Sequence, residues 1–340
     1  MAVMEFELIE RYFTGIGSSS GSQRDDVVLG VGDDAAILAL PVGHELVVST
    51  DTLVSGVHFF PDVDPFSLGH KALAVNLSDL AAMGARPAWI MLALTLPQVD
   101  EVWLNAFSQG FAALAHQHSV QLIGGDSTSG PLSITVQAMG FVERGRAWQR
   151  SAAKPGDLIY VTGTLGDAGL ALQAMQQQLT FPQNELDEIV SRLERPIPRV
   201  AEALALSGLV NAAIDLSDGL LSDLGHILKA SGVGAQIQLD ALPLSSAFLG
   251  CQRDKIAQQL SDECWQSLPL SAGDDYELCF TVDSEAQHKV ASALAAHGFK
   301  AHCIGRIENG SGLRCVQKNG EQYQAEQSGY EHFKRYGIDE

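Results

Sequence analysis

Five short stretches of the chain place aspartates next to glycine, serine or threonine, and they are the best candidates for chemistry. Carboxylates that come together repel one another, so a cluster of them needs cations between its members. Mg²⁺ takes one or two protein carboxylates and completes its shell with waters and phosphate oxygens, so several aspartates indicate more than one ion and a phosphate-bearing ligand. The stretches are Gly32-Asp33-Asp34, Ser49-Thr50-Asp51, Asn76-Leu77-Ser78-Asp79, Gly124-Gly125-Asp126 and Asp215-Leu216-Ser217-Asp218-Gly219.

A structural explanation competes with this interpretation. A single aspartate beside glycine commonly caps a helix or closes a turn. Here, however, the aspartates lie in or next to apolar segments, where an unpaired charge is costly to bury. Shared cations explain all five stretches at once, and metals in such a site neutralise the charge that builds on a transferred phosphoryl group. We therefore expect magnesium, a nucleotide and phosphoryl transfer.

Composition limits the other classes of function. The 340 residues predict about two domains, and a hydrophobic content of 46% is enough for two cores. The net charge of −20 argues against nucleic-acid and anionic-membrane surfaces, because both need clustered Lys and Arg. We see neither a charged-then-apolar leader nor an apolar stretch approaching the ~20 residues of a membrane span. The five cysteines show no zinc spacing, so we expect a cytoplasmic protein with reduced thiols.

Strand-like apolar runs alternate with helix-like segments in both halves, which predicts an α/β or α+β protein. The turn-forming sequence at 152–157 suggests a boundary near residue 150 and hence domains 1–150 and 151–340. In the helix predicted at 67–85, Leu73, Leu77 and Leu80 share one stripe and Asp79 lies off it. Other predicted strands are 27–31, 45–49, 88–96, 120–123, 132–142, 158–162, 276–282 and 300–307, and other predicted helices are 99–118, 168–177, 199–206 and 285–297.

A phosphate-binding loop is one interpretation of the glycine and serine run at 14–21. The run has neither the P-loop pattern nor the dinucleotide-binding fingerprint, so we interpret it as a mobile loop over the site. The chain also contains no His-Arg-Asp or Asp-Phe-Gly sequence. A nucleotide would therefore be bound with a geometry that differs from that of protein kinases.

With their flanking residues, the acidic stretches closely resemble the bacterial thiamine-monophosphate kinase family over nearly the whole chain. Parts of the motifs are shared with the wider superfamily of aminoimidazole ribonucleotide synthetase and selenophosphate synthetase. The resemblance implies a two-domain α/β fold in which the N-terminal mixed sheets of two subunits meet in a homodimer. A C-terminal α/β domain would then complete the active site. The motifs that carry the resemblance are residues 31–35, 49–54 followed by His58, 71–85, 123–126 and 214–220.

The activity that this resemblance implies is ATP-dependent phosphorylation of thiamine monophosphate to thiamine diphosphate, assisted by several Mg²⁺ ions. The acceptor phosphate is already ionised at neutral pH, so no general base is assigned. At 273–277 the chain reads Gly-Asp-Asp-Tyr-Glu where the family has Gly-Glu-Asp-Tyr-Glu, which shortens one carboxylate side chain. By position, the resemblance assigns Asp34, Ser49, Thr50, Asp51, Asp79, Asp126, Asp215 and Asp218 to metal, Gly125, Asp126, Arg150 and Ser217 to nucleotide, and His58, Asp274 and Tyr330 to thiamine phosphate.

Three alternatives stay open at this point. A sister enzyme that uses ATP to activate a carbonyl oxygen for ring closure would keep the same aspartates. A selenophosphate synthetase would be expected to carry a reactive cysteine near its N-terminus, and no cysteine precedes Cys251. A calcium-binding or scaffold module would bind metal without nucleotide, although the chain has no Asp-x-Asp-x-Asp-Gly loop.

Overall fold

The computed structural model describes residues 5–17, 24–177, 179–253 and 259–323. Contacts divide the chain into two compact units. Unit 1 comprises the residues up to Ala147 together with Glu194–Gly208, and unit 2 comprises Trp148–Leu193 and the residues from Leu209 onward. Tyr330 and residues 18–21 of the glycine and serine run lie outside the described residues.

The predicted mixture of helices and strands is confirmed. Within the described residues, no helix is both long and apolar enough to cross a membrane. The α-helices are α1 (Glu5–Tyr12), α2 (Pro65–Ala82), α3 (Glu101–Gln117), α4 (Asp167–Gln177), α5 (Gln183–Glu194), α6 (Val200–Ala205), α7 (Leu220–Ser231), α8 (Ser246–Arg253), α9 (Asp262–Ser271) and α10 (Gln287–Ala295). The strands are β1 (Val27–Leu29), β2 (Ile37–Leu38), β3 (His44–Val54), β4 (Arg86–Leu96), β5 (Gln121–Ser129), β6 (Ser133–Glu143), β7 (Leu158–Thr162), β8 (Ala212–Asp215), β9 (Gly234–Gln238), β10 (Leu278–Val282), β11 (Ala301–Glu308), β12 (Gly312–Val316) and β13 (Gln322–Tyr323).

Unit 1 contains a four-stranded mixed sheet in the order β3-β6-β4-β5. Only β4 and β5 run parallel, and β3 pairs with β6 along all eleven of its residues. Helices α2 and α3 pack together, and α2 also contacts β3, β4 and β6. The face of the sheet towards α2 is apolar and buried on β4 and β6 and carries half-buried polar residues on β3, whereas residues on the opposite face, which we call the open face, remain partly exposed.

Two glycines allow α2 and α3 to lie close together. A Cβ atom on Gly69 would lie 2.1 Å from the carbonyl oxygen of Phe107, and one on Gly110 would lie 1.9 Å from that of Phe66. Both distances are far shorter than van der Waals contact, so only glycine fits. Helix α2 begins after Asp64, whose carboxylate caps the first turn by accepting a backbone N–H. Together these features fix the position of the helix that carries Asp79.

Unit 2 contains a seven-stranded sheet in the order β13-β12-β9-β11-β7-β10-β8. Only β9 and β12 pair in parallel. All residues of β7, β8 and β10 are buried. One apolar cluster is formed by residues of the sheet and α7, and a second is formed by residues of α4, α5, α8 and α9. In this sheet β7 and β10 lie inside, and β8 forms one edge.

Asp215 is the last residue of β8. The predicted ends of two other strands are wrong, and Asp51 and Asp126 therefore lie within strands. The strand predicted at 45–49 continues to Val54, because β3 stays paired with β6, and the strand predicted at 120–123 continues to Ser129 beside β4. Pairing with a neighbouring strand therefore extends both strands beyond their predicted ends.

Candidate active site

The structure brings together Ser49, Asp51 and Asp79, three of the residues predicted to hold metal. Side chains alternate along β3, so Ser49 and Asp51 point to the same side of the strand, towards α2. The Ser49 hydroxyl donates a hydrogen bond to the Asp79 carboxylate on α2. Asn76, one helical turn before Asp79, accepts the backbone N–H of Asp51 at 3.1 Å. The amide of Asn76 is a part of the site that the sequence analysis did not assign.

We call Asp51 and Asp79 the carboxylate pair. Ionising both of them at once costs free energy, because the two negative charges repel each other. Burial, followed by the negative charge of Asp79 and a hydrogen bond with it, raises the pKa of Asp51 to about 7. A divalent cation between the two groups would replace the shared proton and stabilise both charges. In the part of the chain that the structure describes, no three His, Cys, Asp or Glu side chains form a metal cage. Two carboxylates and a hydroxyl suit Mg²⁺, which retains waters and phosphate oxygens.

Thr50 and Asp126 lie on the open face of the same sheet. Asp126 pairs in register with Ala93 on β4, and Ala93 pairs with Thr135 on β6. Thr50 accepts a hydrogen bond from the Gln137 amide on that face at 3.4 Å. Strand β5, which carries Asp126, is three strands away from β3. Within unit 1 the structure therefore does not bring the side chains of Thr50 and Asp126 to the carboxylate pair.

The remaining predicted residues of unit 1 have individual positions. Asp34 is exposed in a turn and donates its backbone N–H to the Asp33 carboxylate at 2.9 Å. His58 is half-buried, and its Nδ1 accepts the backbone N–H of Val54 at 3.0 Å, which fixes the ring at the end of β3. Gly125 has a steric reason to be glycine, because a Cβ atom there would lie 1.9 Å from a carbonyl oxygen of β4.

In unit 2, the residues after β8 form a loop that is joined to the turn at 273–277. The backbone N–H of Asp274 donates to the carbonyl oxygen of Ser217 at 2.9 Å, and that of Tyr276 donates to Leu216 at 2.8 Å. Asp215 is buried at the start of this loop, and Ser217 is half-buried. The structure thus brings residues predicted for metal, nucleotide and acceptor into one hydrogen-bonded segment of unit 2.

Asp223 is a buried acid beside this loop that the sequence analysis did not assign. Its carboxylate accepts the backbone N–H of Asp218 at 3.0 Å. Burial raises the pKa of Asp223 to about 7, the charge of Asp218 adds to the shift, and the positive charge of Arg150 opposes it. Arg150 and Asp218 are therefore close enough to act on the same side chain. In the sequence, Asp223 is visible only as an acid in the first turn of a helix, and such an acid usually indicates no more than a favourable interaction with the helix dipole.

The AIR synthase related protein family matches the chain twice, its N-terminal domain over residues 32–142 and its C-terminal domain over 154–318. Thiamine-monophosphate kinase from Escherichia coli K12 is 49% identical over 334 residues, which cover 98% of this chain and 99% of that protein. The chain belongs to the thiamine-monophosphate kinase family. The resemblance found in the sequence is thereby confirmed, as is the expected class of enzyme.

Solved structures of this family have the same fold. The crystal structure of thiamine-monophosphate kinase from Stenotrophomonas maltophilia K279a superposes with a TM-score of 0.81 at 47% identity, covering 88% of this chain and 93% of that chain. The structure of AaThiL complexed with AMPPCP and TMP superposes with a TM-score of 0.75 at 28% identity, covering 87% and 89%. These likenesses confirm the two-domain AIR synthase-like fold that the motifs implied.

Proposed function

We propose that this chain transfers the γ-phosphoryl group of ATP directly to the phosphate of thiamine monophosphate and releases thiamine diphosphate and ADP. The observation that carries the proposal is the carboxylate pair, held by β3 and α2 in a chain that is 49% identical to thiamine-monophosphate kinase from E. coli. The structure of AaThiL, a related protein with the same fold, is of a complex with AMPPCP and TMP, which supports the same two ligand classes here. The acceptor oxygen is already ionised, so the protein needs to orient the reactants rather than remove a proton.

The chain offers a suitable donor set for Mg²⁺. Asp51 and Asp79 would hold an ion between their carboxylates, with the Ser49 hydroxyl beside them. When bound, Mg²⁺ supplies positive charge that offsets the charge of the two phosphate groups and of the group in transfer. Ser49 keeps the Asp79 carboxylate oriented, and the Asn76 amide holds the backbone at Asp51. We further propose that the remaining predicted metal residues serve additional ions: Asp34, Thr50, Asp126, Asp215 and Asp218.

We propose two further groups of residues for the organic ligands. Arg150 has the forked donor geometry that suits phosphate, and with Gly125, Asp126 and Ser217 it would hold the nucleotide. His58, Asp274 and Tyr330 would hold thiamine phosphate. Asp274 has a left-handed backbone with φ 69°, a conformation that is concentrated at functional sites, which supports this role. Domains 1–150 and 151–340 would then provide, respectively, the nucleotide and magnesium site with the dimer interface, and the part that completes the site.

The open face of the unit 1 sheet supports a homodimer. Leu46 and Val48 on β3 are 48% and 49% exposed, and Met91 on β4 is 36% exposed. A row of apolar side chains on a sheet surface is stabilised when a second apolar surface covers it. We propose that the same face of a second copy covers it. Since no disulfide joins the five free cysteines, we also propose the reducing cytoplasm as the location.

An ADP-release assay with purified protein, Mg·ATP and thiamine monophosphate tests the reaction. We expect one thiamine diphosphate for each ADP, identified by mass spectrometry. ADP release only with a ring-closing ribonucleotide or with selenide would contradict the proposed acceptor, and metal binding without turnover would favour a binding module. Direct transfer predicts inversion of configuration when ATP carries a chiral thiophosphate at its γ position. Retention would instead indicate a covalent enzyme intermediate.

A further inference from the structure

The turn at 273–277 contains two non-glycine residues in the left-handed region. Asp274 has φ 69° and Tyr276 has φ 48°. This conformation is disfavoured for residues with a side chain, because Cβ crowds the following carbonyl oxygen. Such a turn persists only when surrounding contacts stabilise it, and turns of this kind are concentrated at functional sites. Asp275 and Glu277 alternate with these two residues, and their contacts supply that stabilisation.

Asp275 lies between the two left-handed residues and points into the protein. It is 7% exposed, and its two carboxylate oxygens lie 3.1 and 2.9 Å from the backbone nitrogen of Gly166, whose N–H they accept. Gly166 lies in the loop between β7 and α4 and cannot carry a side chain, because a Cβ atom would lie 2.9 Å from the backbone nitrogen of Pro269. Asp275 therefore joins the turn to a loop that is itself sterically fixed.

Glu277 attaches the turn to the core at a second point. Its side chain is fully buried, accepts a hydrogen bond from the Thr162 hydroxyl at 2.7 Å and forms an ion pair with Arg192. A Cβ atom on Gly163 would lie 2.0 Å from the Glu277 carboxylate, so glycine leaves the space that this carboxylate fills. Asp275 thus binds the loop after β7, and Glu277 binds the last residue of β7 and Arg192 on α5.

The outward side of the turn is bonded to the loop that carries Ser217. Besides the bond from Asp274 to Ser217, the backbone N–H of Leu216 donates to the carbonyl oxygen of Glu277 at 2.8 Å. A Cβ atom on Gly273 would lie 2.4 Å from the carbonyl oxygen of Ser217, so the two backbones are in close contact. A displacement of the turn would therefore move Asp274 and Ser217 together.

We propose that Asp275 is a positioning residue that touches neither substrate. By holding the N–H of Gly166, its carboxylate keeps Asp274 in the left-handed conformation and the Ser217 loop against the turn. This inference rests on the proposed function, in which Asp274 binds the acceptor and Ser217 the nucleotide. The fixed relation between these two residues would contribute to the alignment of acceptor and donor.

The test compares Asp275→Asn and Asp275→Ala with a matched control, Asp157→Asn. Asp157 is also buried and accepts a backbone N–H at 3.0 Å, but it lies at the opposite end of β7. We expect Asp275→Asn, which retains one acceptor oxygen, to raise KM for thiamine monophosphate and to lower kcat/KM by about 10- to 100-fold, with a larger effect in Asp275→Ala. We expect Asp157→Asn to lower Tm without changing KM. An unchanged KM in both Asp275 variants, measured on folded protein, would overturn the proposal.

A double-mutant cycle adds a readout that a purely structural role would not move. If Asp275 acts through Asp274, then Asp275→Asn should add little to the rise in KM caused by Asp274→Ala. Additive effects would show that Asp275 does not act through Asp274. Should neither Asp275 variant fold, Glu277→Gln perturbs the second attachment point with the same expected rise in KM, and an unchanged KM in that variant would overturn the proposal.

Failure of the proposed function has a different signature, because the wild-type protein would then release no ADP with thiamine monophosphate. In that case the positioning role is measured by titration with Mg·AMPPCP. The dissociation constant should rise in Asp275→Asn and stay unchanged in Asp157→Asn. Equal constants in the two variants would overturn the link between Asp275 and the Ser217 loop.

Discussion

Asp51 on β3 and Asp79 on α2 lie close enough for the charge of Asp79 to act on Asp51, although they come from different elements of unit 1. The contact exists because β3 turns Asp51 towards α2 and because Asn76, on the same helix as Asp79, holds the backbone of Asp51. Two neighbouring carboxylates repel each other, so the pair suits the binding of a cation better than it suits stabilisation of the fold. Each of them alone would be an ordinary polar residue at a strand or helix surface.

Asp79→Asn should greatly reduce turnover and leave the protein folded. The substitution removes one charged metal donor, and the loss of one preorganised electrostatic group lowers rates by about 100- to 1,000-fold. It also removes the repulsion that, after burial, raises the pKa of Asp51, so the metal-free protein should not lose stability. ADP release and thermal melting in EDTA measure the two effects. Asp62→Asn, an exposed change in the loop before α2, should retain wild-type turnover, and unfolding of Asp79→Asn would indicate a structural role instead.

The stability of the metal-free protein should depend on pH through Asp51. The ordinary pKa of an aspartate, which applies to the unfolded chain, is 3.8, and the pKa of Asp51 in the folded chain is about 7. The folded state therefore binds the proton more tightly than the unfolded state. The resulting stabilisation is fully present below the lower value and is lost as pH rises through the higher one. We expect Tm in EDTA to fall between about pH 4 and 7, and the fall to be smaller in Asp51→Asn. Identical slopes in the two proteins would exclude Asp51 as the titrating group.

Magnesium and nucleotide together should reverse this loss. A ligand that binds only the folded state stabilises it by about 2.7 kcal/mol at 100 times its dissociation constant. We therefore expect Mg²⁺ with AMPPCP to raise Tm at pH 8, above the pKa of about 7 at Asp51, more than either component alone. The increase should be much smaller in Asp51→Asn. An unchanged wild-type Tm at saturating concentrations would count against a nucleotide and metal site.

Local pattern predicted a large part of the fold. The helix expected at 67–85 is α2, and Asp79 is half-buried beside three wholly buried leucines, as its position off the apolar stripe indicated. The strand expected at 158–162 coincides with β7. Helix α5 was not predicted, and the return of residues 194–208 to unit 1 has no local signal, because it depends on contacts between distant parts of the chain.

The candidate site was predictable only as a set of residue types. Acidic motifs identified Asp51 and Asp79, but the face on which Asp126 lies depends on strand register, and β5 had been expected to end before it. The motif at 273–277 gives Asp275 no role, since nothing local shows that it points inward while Asp274 is left-handed. Register and backbone conformation are set by tertiary contacts. They therefore become visible only in the folded chain.

Arg192→Met should strongly destabilise unit 2. The Glu277 side chain is 0% exposed and its ion-pair partner is 18% exposed, so the substitution leaves a buried carboxylate without its counter-charge. Breaking a buried pair in this way costs about 3–5 kcal/mol. Urea denaturation measures the loss. Adding Glu277→Gln should recover part of the stability, since a neutral amide is less costly to bury, and a loss below about 1 kcal/mol in the single variant would show that the pair is effectively solvated.

Gly110→Ala should reduce both stability and turnover, because the added methyl group would force α3 away from α2. The Cβ atom would lie 1.9 Å from the carbonyl oxygen of Phe66, a clash with backbone that no side-chain rotation relieves. Overpacking of this kind costs about 1–3 kcal/mol. Turnover should fall as well, since α2 carries Asp79 and a shift of the helix would separate the carboxylate pair.

The matched control for this substitution is Gly225→Ala in α7. Gly225 is also a helical glycine, but a Cβ atom there would meet no atom within 4 Å. Alanine should therefore stabilise the protein by about 0.5–1 kcal/mol through helix propensity alone. Urea denaturation and ADP release on both variants separate steric contact from propensity. If Gly110→Ala were as stable as Gly225→Ala and fully active, the close packing of α2 on α3 would not be what positions Asp79.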